Sequence, residues 1–335
     1  MIGKTKDGKN VLKVVPGRVD HLEMRNGNWL LVSNGFRSPY SERYISDSVL
    51  LPCGRCIGCR LEYSRRWADR LMLERGYHNR ACFITLTYDP KEEARLQKLG
   101  VDPDTGELIN SLSLCKRDFQ LFMKRLRKHF DHVQIRFFAC GEYGPKTLRP
   151  HYHAILFGVD FAEDVYSLKQ KGPCGDQYFS SPTLEKLWPY GFVSIGECSY
   201  ESCAYVARYV TKKYKGEAAE FYSARNIEEP FCLMSRKPGI ASQYYEDHAE
   251  ELLDKNQISI ATDRGAKNIQ VPKFYDSRFE LDFPEQYVIL KERRKEAAIN
   301  AMDRKLSLTD LDMFEYLENE ERKTTARIKS LVRSV

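Results

Sequence analysis

HYHAILFG, residues 151–158, is the stretch on which the fold turns. Aromatic and branched residues follow one another in it without a helical period, and Gly158 closes the run, so a β-strand is expected. Three further runs share its character: CFITLTY at 82–88, stopped by Pro90, VQIRFFAC at 133–140, and FVSIGE at 192–197. Between the first two, residues 113–130 carry Leu114, Phe119, Phe122, Leu126 and Phe130 at helical spacing with a basic outer face. After the last, SYESCAYVARYVTKKY (199–214) reads as a helix that begins at an N-cap Ser199. The order strand, helix, strand, strand, short helix, strand, helix points to an α+β protein. Its expected core is an antiparallel-dominated sheet with helices packed on one face, of ferredoxin-like type.

Outward from this core, LEYSRRWADRLMLERG (61–76) reads as a further helix, with Leu61, Ser64, Ala68, Leu71 and Met72 on one stripe and Gly76 as a stop. Residues 91–110 contain the turn-like DPDTG and are expected as an exposed loop. The chain divides into an N-terminal arm with a cysteine cluster (1–60), the core (61–216), a mixed extension (217–283) and a charged helical tail (284–335).

The chain has 335 residues, 42% hydrophobic and 30% charged, which fits a globular protein and excludes a disordered or fibrous one. Its net charge of +6 is a mild bias, compatible with a polyanion but not diagnostic. Arg and Lys cluster at 55–75, 116–128 and 208–215, interleaved with Tyr63, Trp67, Phe122, Tyr209 and Tyr214. Cations beside rings suit a nucleic-acid strand, although solvated helix faces over core aromatics give the same pattern. No apolar run spans a membrane, the N-terminus has no signal-peptide core, and ten cysteines without such a signal suggest reduced thiols or metal ligands. The expectation is a cytoplasmic protein.

His151 and His153 are two apart on an expected strand, so both project from one face while Tyr152 points away. Glu142 ends the preceding strand, where a hairpin would return it beside the histidines. Two imidazoles and a carboxylate leave positions open for a phosphate oxygen and water, and Mg²⁺ or Mn²⁺ suits such hard ligands. Tyr205 and Tyr209 are four apart on one helix face, with Arg208 and Lys212 three residues after each. A phenol is a weak nucleophile until a nearby cation favours its phenolate. Attack on phosphorus would give a phosphotyrosine ester, which keeps the bond energy for rejoining.

These elements resemble the HUH endonuclease superfamily. Its threonine-bearing strand is similar to FITLTYD (83–89), its paired-histidine motif to His151 and His153, and its tyrosine–lysine motif to Tyr209 and Lys212. Tyr205 carries Arg208 where lysine is usual. CGEYGPKTLRPHYHAILFG, PCGRCIGCRLEYSRRWADR and MSRKPGI further resemble the replication initiation proteins of gokushoviruses, the small circular single-stranded DNA phages of the Microviridae. The resemblance covers roughly residues 50–245. It implies site-specific nicking of phage origin DNA, covalent linkage to the 5′-phosphate, strand rejoining, and strand displacement driven by host helicase and DNA polymerase in the host cytoplasm. It implies Tyr209 and Tyr205 as nucleophiles, Lys212 and Arg208 as their aids, His151, His153 and Glu142 as metal ligands, and Thr85 and Thr87 as the site floor. The sequence holds no phosphate-cradling G-x-x-x-x-G-K-[ST] loop, consistent with a protein that lacks its own helicase.

Cys53, Cys56 and Cys59 form a C-x₂-C-x₂-C run that could hold a structural Zn²⁺, with Cys82 or His78 as a fourth ligand, or could remain free thiols. Other functions stay open on the sequence alone: a non-catalytic module for single-stranded DNA or RNA, a plasmid or transposon relative with the same chemistry, and a metallohydrolase in which water attacks.

Overall fold

A computed structural model describes residues 3–4, 10–11, 21–26, 28–32, 43–45, 56–144, 147–171, 177–211, 217–262, 265–311 and 313–330. The chain forms two compact units, one from residues 60–296 and one from residues 1–59 with 297–330.

The larger unit is built on a seven-stranded sheet. In spatial order its strands are Tyr166–Lys171, Gln177–Ser180, Gly191–Glu197, Ala81–Tyr88, Pro150–Phe157, Arg136–Tyr143 and Phe231–Met234. Every pairing is antiparallel. The four expected strands occupy the middle. Their order is fourth, first, third, second, the ferredoxin-like arrangement in which each of two β-α-β crossovers is split by a strand of the other. The two crossover helices, Lys116–His129 and Pro182–Leu187, share one face of the sheet, as expected.

That face is the drier one. Ile84, Leu86, Ala154 and Leu156 project onto it and pack with Phe119, Phe122, Met123 and Leu126 of the longer helix and Leu184 of the shorter one. The middle residue of the histidine triplet belongs here too. Tyr152 is fully buried, accepts a hydrogen bond from the Cys115 N–H (2.9 Å), and lies 2.8 Å from the Tyr88 hydroxyl, which donates to Asp118. Cys115 provides no side-chain cap, so the Tyr152 phenol satisfies the start of that helix instead.

The opposite face is also covered, which corrects the expectation of helices on one face only. Trp67, Ala68 and Leu71 of the Ile57–Arg75 helix and Cys203, Val206 and Ala207 of the Tyr200–Ala207 helix pack there with Phe138, Ile155 and Phe157. The reason is the composition of the central strands. Arg136–Tyr143 and Pro150–Phe157 are apolar at both odd and even positions, and a strand apolar on both sides has to be buried on both sides.

A buried ion pair ties this second layer together. Glu74 receives the Arg136 guanidinium, the His78 ring at 3.1 Å and the Ala241 backbone N–H at 2.6 Å. Arg136 also donates to the carbonyls of Pro238 and Gly239, so the SRKPGI turn is clamped between helix and sheet. Burial alone would raise the Glu74 pKa, but these hydrogen bonds and the Arg136 charge outweigh it and hold the carboxyl below its usual range.

Residues 91–110 do not form a simple loop. A short helical turn leads into strands Gln97–Val101 and Leu108–Leu112, paired as a hairpin. The DPDTG turn closes it: the Asp102 carboxylate accepts from Asp104 and Thr105 N–H, and Gly106 takes φ 74°. The strands escape a pattern reading because Gln97, Lys98, Leu99 and Leu108 are all exposed, leaving no alternation to read. The edge strand Phe231–Met234 comes from beyond residue 216, as do the helix Ser242–Lys255 and the hairpin Gln257–Thr262 with Gly265–Gln270.

In the smaller unit, strands Asn28–Val32, His21–Arg25 and Arg43–Ile45 form a three-stranded antiparallel sheet within a stretch expected to be irregular. Asn26, in the left-handed region at φ 47°, starts the tight turn between the first two in sequence. Helices Pro284–Leu306 and Met313–Ser330 account for the charged tail.

Glu74→Gln strands the buried Arg136 charge and is expected to cost about 3–5 kcal/mol of stability at neutral pH. Because the native Glu74 pKa is lowered, its contribution is complete above the ordinary carboxylate pKa and disappears as pH falls through the native value. Urea unfolding of both proteins from about pH 7 to about pH 3 should therefore show the two stabilities converging on the acid side.

Candidate active site

Strand register brings the polar residues together. On the face away from the crossover helices, His151 pairs with Glu142 on one side and Thr87 on the other, and His153 pairs with Cys140 and Thr85. All six side chains therefore project from the same face. Among the described residues, Glu142, His151 and His153 are the one group of three or more His, Cys, Asp or Glu side chains close enough to share a metal ion, with ligand atoms within 4.8 Å of one another.

Glu142 is the hub. Its Oε1 lies 3.0 Å from His151 Nε2 and 2.9 Å from His153 Nε2. Burial would push its pKa up, yet the hydrogen bonds and charges of the two histidines prevail and hold it far below the usual carboxylate range. The second ring nitrogens are fixed from outside. His153 Nδ1 lies 2.9 Å from Thr85 Oγ1, and His151 Nδ1 lies 3.2 Å from the Arg149 carbonyl.

The His151 arrangement tests whether a cation suits the site. A carbonyl oxygen only accepts, so Nδ1 carries the proton, and a neutral ring then turns the lone pair of Nε2 toward the Glu142 carboxylate. Two lone pairs 3.0 Å apart repel unless the ring takes a second proton or a cation lies between them. A divalent ion among two Nε2 atoms and one carboxylate oxygen satisfies all three, and the outward hydrogen bonds to Thr85 and Arg149 are those that metal-ligating imidazoles make. The residues fit the ion.

The tyrosines reach the same place. Ser199 caps the Tyr200–Ala207 helix through a reciprocal pair of bonds with Ser202, and Tyr200 donates to Asp69 at 2.9 Å, which anchors the helix start on the Ile57–Arg75 helix. Tyr205 leans over His153, with ring centroids 5.0 Å apart at 88°. Its hydroxyl lies 3.4 Å from both Glu142 Oε1 and His153 Nε2. The backbone then tightens into a 3₁₀ turn over Arg208–Thr211, which carries Tyr209. The Tyr209 hydroxyl donates to that of Tyr205 at 3.2 Å, and its ring stacks over His153 at 6.2 Å. Burial first, and then the Glu142 charge, raises both phenol pKa values above normal. Without a cation, both tyrosines are neutral donors. A positive ion at the histidines reverses the sign of the local field.

Arg208 sets its guanidinium 5.3 Å from the Tyr205 ring centroid, on the exposed side. Thr87 stands opposite His151, and its carbonyl accepts from the Trp188 indole. Lys212 and Cys53 lie outside the described residues. Cys56 and Cys59 sit at the start of the Ile57–Arg75 helix, where the Cys59 N–H points at Cys56 Sγ (3.5 Å). The two suggested fourth ligands have other surroundings: Cys82 is buried in the core, and His78 is paired with Glu74.

Two contributors escaped the sequence reading. Phe83 stacks under His153 at 5.7 Å and meets Tyr205 edge-on at 6.0 Å, so one ring braces a histidine and a tyrosine. Its position two residues before Thr85 was the available signal. Arg149 acts through its backbone carbonyl, which no side-chain pattern reveals.

The family model for the phage replication-associated protein ORF2 matches residues 81–214, the span that holds this face and both tyrosines. Replication-associated protein ORF2 of Spiroplasma virus 4 is 33% identical over 320 residues, covering 91% of this chain and 92% of its own. Replication-associated protein VP4 of Bdellovibrio phage phiMH2K is 28% identical, with 74% of each chain covered. Replication-associated protein ORF4 of Chlamydia phage 1 is 32% identical over half of this chain and 39% of its own. No solved structure matches the chain. No helix among the described residues is long and apolar enough to cross a membrane. Likeness along nearly the whole length of the Spiroplasma virus protein, together with the family match over the sheet and the tyrosine helix, makes this chain a member of the phage replication-associated protein family.

Proposed function

We propose that the protein initiates rolling-circle replication by nicking single-stranded origin DNA with a tyrosine and holding the 5′-phosphate as a phosphotyrosine ester. The observation that carries this reading is the position of the Tyr205 hydroxyl, 3.4 Å from both Glu142 Oε1 and His153 Nε2, with the Tyr209 hydroxyl one hydrogen bond behind it. A nucleophile and a metal-ligand set at one point form the arrangement that attack on a phosphodiester requires.

His151, His153 and Glu142 would hold Mg²⁺ or Mn²⁺, which when bound polarises a non-bridging phosphate oxygen and offsets charge developing on phosphorus. The protein's own groups do the rest. Thr85 and the Arg149 carbonyl keep the imidazoles in register, and Phe83 holds the Tyr205 ring against His153. A tyrosine oxygen attacks in line, the P–O3′ bond breaks, and the phenolic proton is balanced by the one gained by the departing 3′-hydroxyl. The ester stores the bond energy, so attack by a 3′-hydroxyl on the phosphotyrosine reverses the step and rejoins a strand. Two tyrosines within one hydrogen bond of each other allow one to hold a DNA end while the other cuts the next junction. Arg208 and Lys212, on the same segment, are suited to hold phosphates.

Incubation with labelled single-stranded DNA spanning the phage origin and Mn²⁺, followed by a denaturing gel, should give a metal-dependent covalent species. That species should vanish in the Tyr205→Phe/Tyr209→Phe double variant. Cleavage without an adduct would instead identify water as the nucleophile, and retention without cleavage would identify a binding module.

Thr85→Val removes the hydroxyl that holds His153 Nδ1 and is expected to weaken Mn²⁺ binding about 10–100-fold while leaving the fold intact. Calorimetric titration beside a circular dichroism melt separates the two effects.

A further inference from the structure

Row by row across the site face, the sheet reads Glu142, His151, Thr87, Phe192 and, one row down, Cys140, His153, Thr85, Ser194. Phe192 therefore lies in the same row as the candidate metal ligands, two strand spacings or about 10 Å from the His151 strand. Its neighbours Val193 and Ile195 point to the other face and are buried, whereas Phe192 is 60% exposed. Among the described residues no other ring is stacked on it. A single exposed apolar residue is ordinary on a protein surface. This one is set apart by standing at the end of a trough that opens onto the tyrosines.

The trough is made of small side chains. Along its strand Phe192 is followed on the same face by Ser194 and then Gly196, with Thr87 and Thr85 beside them. A Cβ at 196 would come within 3.2 Å of Phe83 Cδ1, so glycine there leaves room for the ring that braces His153 and Tyr205. Gly191 has a parallel role one residue before Phe192. A Cβ on it would sit 2.3 Å from Asp89 N and 2.4 Å from the Thr87 carbonyl, so only glycine lets the strand close onto its neighbour and set Phe192 at this edge. At the same end Arg149 donates to the carbonyl of Tyr88, the residue paired with Gly191, at 2.8 Å, which brings a half-exposed cation to this end of the trough.

A flat ring, a nearby guanidinium and a shallow hydroxyl-lined channel leading to a phosphoryl-transfer site match the chemistry of single-stranded nucleic acid, in which a base stacks while the backbone runs on. We propose that Phe192 is the stacking platform for one base of the strand whose phosphodiester enters the tyrosine site. This rests on the reading of that site as a single-strand nickase. Ser194, Thr85 and Thr87 border the sugar–phosphate path, and Arg149 faces a flanking phosphate.

The test uses the full chain carrying Tyr205→Phe/Tyr209→Phe, so that no covalent capture intervenes. Fluorescence anisotropy measures its affinity for a deoxyadenosine oligomer of about 15 nucleotides and for an abasic deoxyribose-phosphate oligomer of equal length. Adding Phe192→Ala should lower affinity for the adenine oligomer on the order of ten-fold and leave the abasic oligomer unchanged, while Phe192→Trp should retain adenine binding. An unchanged affinity for the adenine oligomer overturns the proposal, and so does an equal loss on both probes, which would reflect fold or charge. The unmodified tyrosines are assayed separately for adduct formation. An adduct without base preference at Phe192 overturns this inference alone, and base preference without an adduct overturns the nickase reading alone.

Discussion

A single buried carboxylate oxygen organises this protein's polar face. Glu142 Oε1 lies within 3.0 Å of two imidazole nitrogens and 3.4 Å of a phenol, in a sheet whose other contacts are mostly apolar. Such a convergence is costly unless positive charge is shared among the groups. The histidines supply some of it by hydrogen bonding, and their outward partners, Thr85 and the Arg149 carbonyl, hold both rings with Nε2 turned inward. The rest of the unit can be understood as the frame that keeps these atoms at that spacing.

The frame works because the central strands are buried twice. One face is closed by the two crossover helices, and Tyr152 fastens the sheet to the start of the longer one. The other face is closed in part by the Ile57–Arg75 helix, clamped through Glu74 and Arg136, and in part by the tyrosine helix. The histidine triplet shows this division within three residues: two side chains serve the site, and the one between them serves the core. A bulky middle residue is thus a structural requirement of this chain, since its hydroxyl replaces a helix cap that Cys115 does not provide.

Much of this was legible in the sequence because it followed short periods. The spacing of two that puts His151 and His153 on one face, the hairpin that returns Glu142 beside them, and the spacing of four that stacks Tyr205 on Tyr209 are consequences of strand and helix geometry alone. Four core strands and their order could be read from apolar runs and the helix between them. What escaped has physical causes. The Gln97–Leu112 hairpin is exposed and has no alternation. The edge strand Phe231–Met234 is only four residues long and depends on a partner more than eighty residues earlier in the chain. The coverage of both faces was hidden because a strand apolar on every position does not say what covers it. Phe83 and Phe192 looked like ordinary β-formers, and only the register shows that one braces the site and the other lies open beside it.

The central claim is that Glu142, His151 and His153 hold one divalent cation next to the tyrosine hydroxyls. Crystals soaked in Mn²⁺ and measured near the manganese absorption edge test it directly. The account predicts a single strong anomalous peak bounded by Glu142 Oε1 and the two Nε2 atoms, on the side that faces Tyr205. A peak bound elsewhere, or none with both imidazoles still hydrogen-bonded to the carboxylate at saturating Mn²⁺, would contradict it.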